Sequence, residues 1–279
     1  MHTLKSGGGI RTVKNRVQPV GGFKTRAGFF VIAHRGASFD FPENTMPAFE
    51  NAFRMKADMI ELDVLLSRDG IPVVMHDETL DRTTNGRGNV QHFLYRELQE
   101  LNAGNWFGPE FSDVTIPSLQ SVLSWAKGKI ALNIEIKGEK RGHVSKTSIE
   151  PAVIELVRQF EMENHIVISS FSRNAIKRVK EISDDISTAI LNSEYSYGTR
   201  LVYRMMSRLD ADGLNMLSRQ MKRPLMKKLS QHNVPVWIYT INSEAEMRTV
   251  IRKGATGIFS DRPDLLRKVA SEELSALDS

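Results

Sequence analysis

Along the chain, short apolar runs alternate with stretches whose apolar positions recur every three or four residues. That is the pattern of parallel strands joined by crossover helices. Runs at 29–36, 59–64, 130–137, 166–171, 187–191, 213–216, 236–241 and 257–261 read as eight strands. Helical periodicity fills the intervals at 47–56, 148–162, 173–182, 222–232 and 244–253. The expected fold class is therefore α/β, a closed (β/α)8 or TIM barrel.

Two places break the alternation. The run 71–76 follows the second strand with no room for a helix, and Asp69-Gly70 between them is a hairpin signal. With the turn centred there, Asp63 is expected to face His76. The second break is 77–117, rich in Gly, Asn and Asp, with a short helical signal at 94–101. Long insertions on barrels gather at the catalytic face, so this one is expected to form a small cap subdomain.

Charge divides the chain. The formal net charge is +5, yet Lys5, Arg11, Lys14, Arg16, Lys24 and Arg26 fall in the first 26 residues with no acid among them. The remainder is close to neutral, which argues against nucleic acid as a partner. Residues 1–27, with Gly7-Gly8-Gly9 and Gly21-Gly22, are expected to be an unfolded basic tail. The barrel domain is expected over 28–270, with 271–279 as a second tail. There is no cysteine and no apolar stretch of transmembrane length. With no secretory h-region either, a cytoplasmic location is expected. Residues 195–208 mix Tyr, Leu, Val, Met and Arg, which a basic amphipathic helix in peripheral contact with lipid also does. Oligomeric state leaves no signal.

Chemistry gathers at the C-terminal ends of the expected strands, where barrel active sites are built. The first strand ends in His34-Arg35-Gly36, the second in Glu61-Leu62-Asp63, the third in Glu135-Ile136-Lys137, and the hairpin returns with His76-Asp77. Residues two apart in a strand share a face, so Glu61 and Asp63 point into the barrel if Ile60 and Leu62 point out. Three converging carboxylates, Glu61, Asp63 and Glu135, repel one another unless a cation joins them. Oxygen-only ligands select one hard divalent ion, Mg2+ or Ca2+. His34 and His76 are the candidate acid and base for cleaving a phosphodiester. Arg35 and Lys137 supply fixed positive charge suited to phosphate.

At these residues the sequence resembles the glycerophosphodiester phosphodiesterase family. The resemblance rests on AHRGASFDFPENTMPAF at 33–49 and IELDVLLSRDGIPVVMHDETLDRTTNGRG at 60–88. It continues through IPSL at 116–119, LNIEIK at 132–137, ISSF at 168–171, VWIYTIN at 236–242 and GIFSDRPDLL at 257–266. It implies a metal held at Glu61, Asp63 and Glu135, catalysis by His34 and His76, and phosphate contact by Arg35 and Lys137. Glu43 and Asn44 then line the site, though Asn44 also suits a helix N-cap. Trp237 then walls the alcohol pocket, and Asp81-Arg82-Thr83-Thr84 braces the insertion. The implied reaction releases an alcohol and glycerol 3-phosphate from a small glycerophosphodiester. His34 is expected as base and His76 as acid in the first step, exchanging roles in a two-step route. A lysophospholipase D-like lipid phosphodiesterase is the competing enzyme. A non-catalytic barrel predicts loss of one or more of the seven polar positions, and all seven are present.

Overall fold

The computed structural model describes residues 28–137, 148–192 and 198–277. The basic segment 1–27, the first residues of 195–208 and the last two residues lie outside them. Eight parallel strands close on themselves: β1 (Phe30–His34), β2 (Met59–Leu66), β4 (Ala131–Ile136), β5 (Ile166–Ser170), β6 (Ser187–Asn192), β7 (Gly213–Met216), β8 (Val236–Ile238) and β9 (Gly257–Ser260). Closure comes from β1, which pairs in parallel with both β2 and β9. The barrel expected from the alternation is the one found.

Parity along each strand sorts side chains into two layers. Val31, Ala33, Ile60, Leu62, Leu132 and Ile134 point outward into a large core shared with the helices. Phe30, Ile32, Met59, Ala131, Val167, Ala189, Trp237 and Phe259 fill the barrel interior. On β2 and β4 the inward series continues as Glu61, Asp63, Glu135 and Lys137, so it turns polar toward the strand ends. The outer helices are α1 (Met46–Arg54), α3 (Leu119–Ala126), α4 (Ile149–Gln159), α5 (Arg173–Ile182), α6 (Thr199–Leu209), α7 (Arg223–Gln231), α8 (Glu244–Arg252) and α9 (Pro263–Leu277). Serine caps start several of them: Ser118, Ser172 and Ser243 each accept from a backbone N–H three residues on.

The turn from β1 into α1 requires glycine. Gly36 sits at φ +87, and a Cβ there would meet the Ala48 Cβ at 2.6 Å. This close approach brings the start of α1 against the His34 end of β1.

Three expectations need correction. First, β3 (Pro72–Val74) pairs antiparallel with β2 one residue out of the expected register, Val64 opposite Val74 and Leu66 opposite Pro72. The loop holds three residues rather than two, with Gly70 at φ +78 and its N–H donating to Ser67 O at 3.0 Å. Met75, not His76, therefore lies opposite Asp63, donating its N–H to Asp63 O at 3.0 Å. Second, Asn44 is not the cap of α1; that position is Thr45, and Asn44 adopts φ 58. Third, α9 continues through the expected C-terminal tail as far as Leu277. It is held there by Glu273, which accepts from Arg248 and Arg252 at 2.9 and 2.7 Å.

The insertion has its own small core. Leu80, Val90, Leu98, Ala103 and Ile116 pack with Val73 and Met75 of the hairpin around α2 (Tyr95–Gln99).

Candidate active site

The three carboxylates converge as expected. Glu61, Asp63 and Glu135 are 4%, 1% and 8% exposed, and one oxygen from each lies within 4.8 Å of the others. Register explains the meeting: Asp63 and Glu135 are direct partners across β2 and β4, and Glu61 is one inward position below. Lys137 Nζ bridges Asp63 at 2.5 Å and Glu135 at 2.6 Å. The Arg35 guanidinium stands 3.4 Å from Asp63, and its backbone N–H donates to Glu61 at 2.9 Å. Arg35 takes φ 57, a left-handed conformation that aims this N–H at the cluster. Asn44 closes a two-way bond with Asp63, donating Nδ2 to the carboxylate at 2.9 Å and accepting its N–H at 3.2 Å.

Charge is unequally shared. Burial drives the Asp63 carboxyl upward, but Lys137, Arg35 and His76 outweigh it and hold Asp63 at about 2. Glu61 is pushed up to about 8 by burial and by the neighbouring Asp63 charge. Burial and Asp63 also raise Glu135. A cluster in which one carboxylate is ionised and two are strained toward protonation suits a divalent cation, and its donors are all hard oxygens.

Each histidine is anchored through Nδ1 to an aspartate. His34 Nδ1 lies 2.7 Å from Asp261, whose other oxygen accepts from Asn242 Nδ2 at 2.6 Å. Ser38 Oγ adds a bond to Asp261 at 3.1 Å. His76 Nδ1 lies 2.6 Å from Asp77, which also accepts from the Arg82 guanidinium at 2.7 Å. Arg82 reaches on to both oxygens of Glu43 at 2.8 Å, and Glu43 accepts from Arg35 at 2.8 Å. A continuous chain thus runs from His76 through Asp77, Arg82, Glu43 and Arg35 to Asp63. The bend at His76, past the end of β3, keeps the ring within reach of the Asp63 and Lys137 charges despite the shifted register.

Burial lowers the His34 imidazole, but the Asp261 bond and the Glu61 charge outweigh it and hold the ring above its ordinary value. Burial, with Lys137 and Arg35 nearby, holds His76 below its ordinary value against Asp63 and Asp77.

Trp237 is the sequence candidate that stands apart. It is 4% exposed inside the barrel, packed on Phe30 at 5.6 Å and Phe259 at 6.2 Å between ring centres. It belongs to the barrel floor. The next inward position is Tyr239, which packs edge-on to Phe171 at 6.2 Å and has a buried hydroxyl with no hydrogen-bond partner among the described residues. Burial and the Glu135 charge both raise the Tyr239 hydroxyl. Asp261, Asn242 and Ser38 were missed from sequence, and Arg82, expected to brace the insertion, also ties Asp77 to Glu43. Asp261 carried the same signal as the others, a carboxylate closing an apolar strand.

A barrel mouth that joins buried oxygen donors to two carboxylate-supported histidines and fixed positive charge is equipped for phosphoryl chemistry. Comparison with known proteins makes this specific. The glycerophosphoryl diester phosphodiesterase family profile matches residues 34–265. A glycerophosphodiester phosphodiesterase of Caldanaerobacter subterraneus subsp. tengcongensis is 36% identical over 237 residues, spanning 85% of this chain and 95% of the relative. The crystal structure of a glycerophosphodiester phosphodiesterase from Agrobacterium tumefaciens aligns with a TM-score of 0.75 at 30% identity, over 86% of this chain and 99% of that one. An Oleispira antarctica phosphodiesterase, solved in complex with the product sn-glycerol-3-phosphate, aligns with a TM-score of 0.73 at 29% identity, over 89% and 96%. The chain belongs to the glycerophosphoryl diester phosphodiesterase family, and it is a phosphoric diester hydrolase.

Proposed function

We propose that the protein hydrolyses a glycerophosphodiester to an alcohol and glycerol 3-phosphate, using one divalent ion, Mg2+ or Ca2+, at Glu61, Asp63 and Glu135. The reading keeps the cytoplasmic setting expected from the sequence. The observation that carries it is the placement of His34 and His76 beside one buried carboxylate cluster, each with Nδ1 tied to an aspartate. When bound, the cation supplies Lewis acidity and neutralises charge on the phosphoryl oxygens. Arg35 and Lys137 add fixed charge at the same point, preorganised by their carboxylate partners.

Two proton movements complete the cleavage. A hydroxyl attacking phosphorus, from water or from the neighbouring glycerol carbon, loses its proton to one imidazole. The departing alkoxide takes a proton from the other. The surroundings favour one allocation: His76, held low, accepts, and His34, held high by Asp261 and Glu61, donates. This reverses the order expected from sequence for the first step. The Tyr239 hydroxyl is positioned to bond a polar group of the substrate.

Phosphorus NMR with glycerophosphocholine in Mg2+, in Ca2+ and in EDTA tests the reading. Metal-dependent growth of glycerol 3-phosphate is expected, absent with EDTA and in Glu61→Ala. An intact diester with every ion would remove the soluble-substrate reading. A lysophospholipid is the second reading, favoured by Phe39 and Phe171, which are 56% and 47% exposed on loops at the strand ends. The same spectra with a lysophosphatidyl substrate decide between them. Metal affinity is also expected to rise with pH up to about 8, because Glu61 must lose its proton to bind. Calorimetry in buffers of different ionisation enthalpy reads the released proton directly.

A further inference from the structure

We infer that Asn215 and Tyr239 select the substrate by hydrogen-bonding the terminal hydroxyl of its glycerol part, so that a free hydroxyl on that carbon is required. The inference rests on the reading of this mouth as a glycerophosphodiester site, and it says which end of the substrate enters the barrel. Leu214 and Met216 of β7 pack outward against the helices, so Asn215 points into the barrel beside Trp237, its partner across β7 and β8. In a (β/α)8 barrel alternate strands supply each interior layer. Carried round the closed sheet with that stagger, the strand register sets Asn215 level with Glu61, and Tyr239 level with Glu135 and His34. Each of the two stands four strands away from its carboxylate, on the opposite wall. The Glu135 charge is near enough to raise the Tyr239 hydroxyl, in keeping with that placement.

The two walls differ in how their polar groups are satisfied. The carboxylates have Lys137, Arg35 and Asn44. Asn215 is 0% exposed, and among the described residues neither its Oδ1 nor its Nδ2 has a hydrogen-bond partner; nor does the buried Tyr239 hydroxyl. Buried polar groups are rarely left so, because an unmade bond forfeits the group's hydration. A partner from outside the chain completes them, and its chemistry is narrow. An amide that offers a donor and an acceptor, beside a phenol that does the same, suits a hydroxyl. An anion here would face Glu61 and Glu135 across the axis, and a cation is drawn to those carboxylates instead. The phosphate is set higher, since Arg35 and Lys137 lie beyond His34 and Glu135 toward the mouth. The glycerol end then descends between the walls, its middle hydroxyl toward the carboxylates and its terminal hydroxyl toward Asn215 and Tyr239. Beneath them the buried Ile32, Met59 and Trp237 close the barrel, which leaves no path for an acyl chain on that oxygen.

A substrate pair tests this in the full-length chain with its divalent ion: glycerophosphocholine, and 2-hydroxypropyl phosphocholine, in which the terminal hydroxymethyl group is a methyl and the hydroxyl beside the phosphate-bearing carbon is kept. The wild type should prefer glycerophosphocholine in kcat/KM by about 10²-fold or more, because the analogue leaves the buried amide and phenol unpaired. Tyr239→Phe, which keeps the ring that packs on Phe171 and Phe259, should lower that preference about tenfold, the worth of one hydrogen bond. The loss should fall on glycerophosphocholine rather than on the analogue. Asn215→Leu, close in shape, should act in the same way, and if it does not fold Tyr239→Phe decides alone. A lysophosphatidylcholine acylated on the terminal oxygen should be hydrolysed no faster than the methyl analogue. Equal wild-type rates on the two diesters would leave water as the partner of Asn215 and Tyr239 and overturn the inference. A Tyr239→Phe variant that slows both diesters alike would overturn it too, since that is the mark of a structural role. Faster hydrolysis of the lysophospholipid, with neither diester cleaved, would instead remove the glycerophosphodiester reading on which the inference rests.

Discussion

The two aspartate–histidine pairs at the mouth share one geometry and differ in what stands behind the aspartate. Asp261 is bonded by neutral donors, Asn242 and Ser38, so its negative charge is left to the His34 ring. Asp77 is bonded by the charged Arg82 guanidinium. Both carboxylates hold their imidazole in one tautomer and orientation. Both also strengthen their imidazole as a base, but at His76 burial and the Lys137 and Arg35 charges outweigh Asp77. Similar contacts at the ring thus end in opposite shifts, because Glu61 adds to Asp261 at His34 while burial, Lys137 and Arg35 outweigh Asp63 and Asp77 at His76. The same Arg82 fixes Glu43, and through it Arg35, so the weaker pair is also the better braced one.

The sharpest way to break the comparison uses the leaving group. His34→Ala and His76→Ala should each lower turnover of a natural alkyl diester by about 10²–10⁴-fold, the usual range for a positioned acid or base. With a p-nitrophenyl diester, whose leaving group needs no proton, the His34→Ala loss should shrink and the His76→Ala loss persist. Equal rescue of both, or rescue of His76→Ala alone, would exchange their parts.

A smaller effect is expected one bond out. His34 acts protonated, so activity is lost as pH rises through its pKa, which sets the alkaline limb of kcat/KM. Asp261→Asn removes the charge that raises His34 and should move that limb down by about one unit, roughly tenfold in rate above it. An alkaline limb that does not move would separate Asp261 from the proton state of His34. His76 acts neutral, so activity is lost as pH falls through its pKa, which sets the acid limb. Arg82→Met returns the Asp77 charge to His76 and should move the acid limb up by roughly half a unit, the smallest of these shifts. Together the two variants should narrow the pH profile from opposite sides.

Much of this site was legible in the sequence because period-2 alternation in buried strands makes an inward charge conspicuous. Glu61, Asp63, Glu135 and Lys137 announce themselves as charges among Val, Ile and Leu. What alternation cannot supply is height within the barrel. Trp237 and Tyr239 share the inward face, and only the closed, staggered sheet shows that the first packs on Phe30 at the floor while the second reaches the mouth. Nor does it supply partners far apart in the chain: His34 and Asp261 are 227 residues apart and meet because β1 and β9 close the barrel. The hairpin register failed for a local reason. Asp69-Gly70 suits a two-residue turn, but Ser67 Oγ bonded to Asp69 at 2.6 Å, and Gly70 in the left-handed region, fix a loop one residue longer.

The most direct measurement is an NMR titration of the imidazole carbon-bound protons in the metal-loaded protein, with His34→Gln and His76→Gln supplying the assignments. The account predicts that His34 titrates above the ordinary histidine value of about 6.5 and His76 below it. The reverse order, or two histidines titrating together, would contradict the division of labour drawn from the surroundings of the two rings.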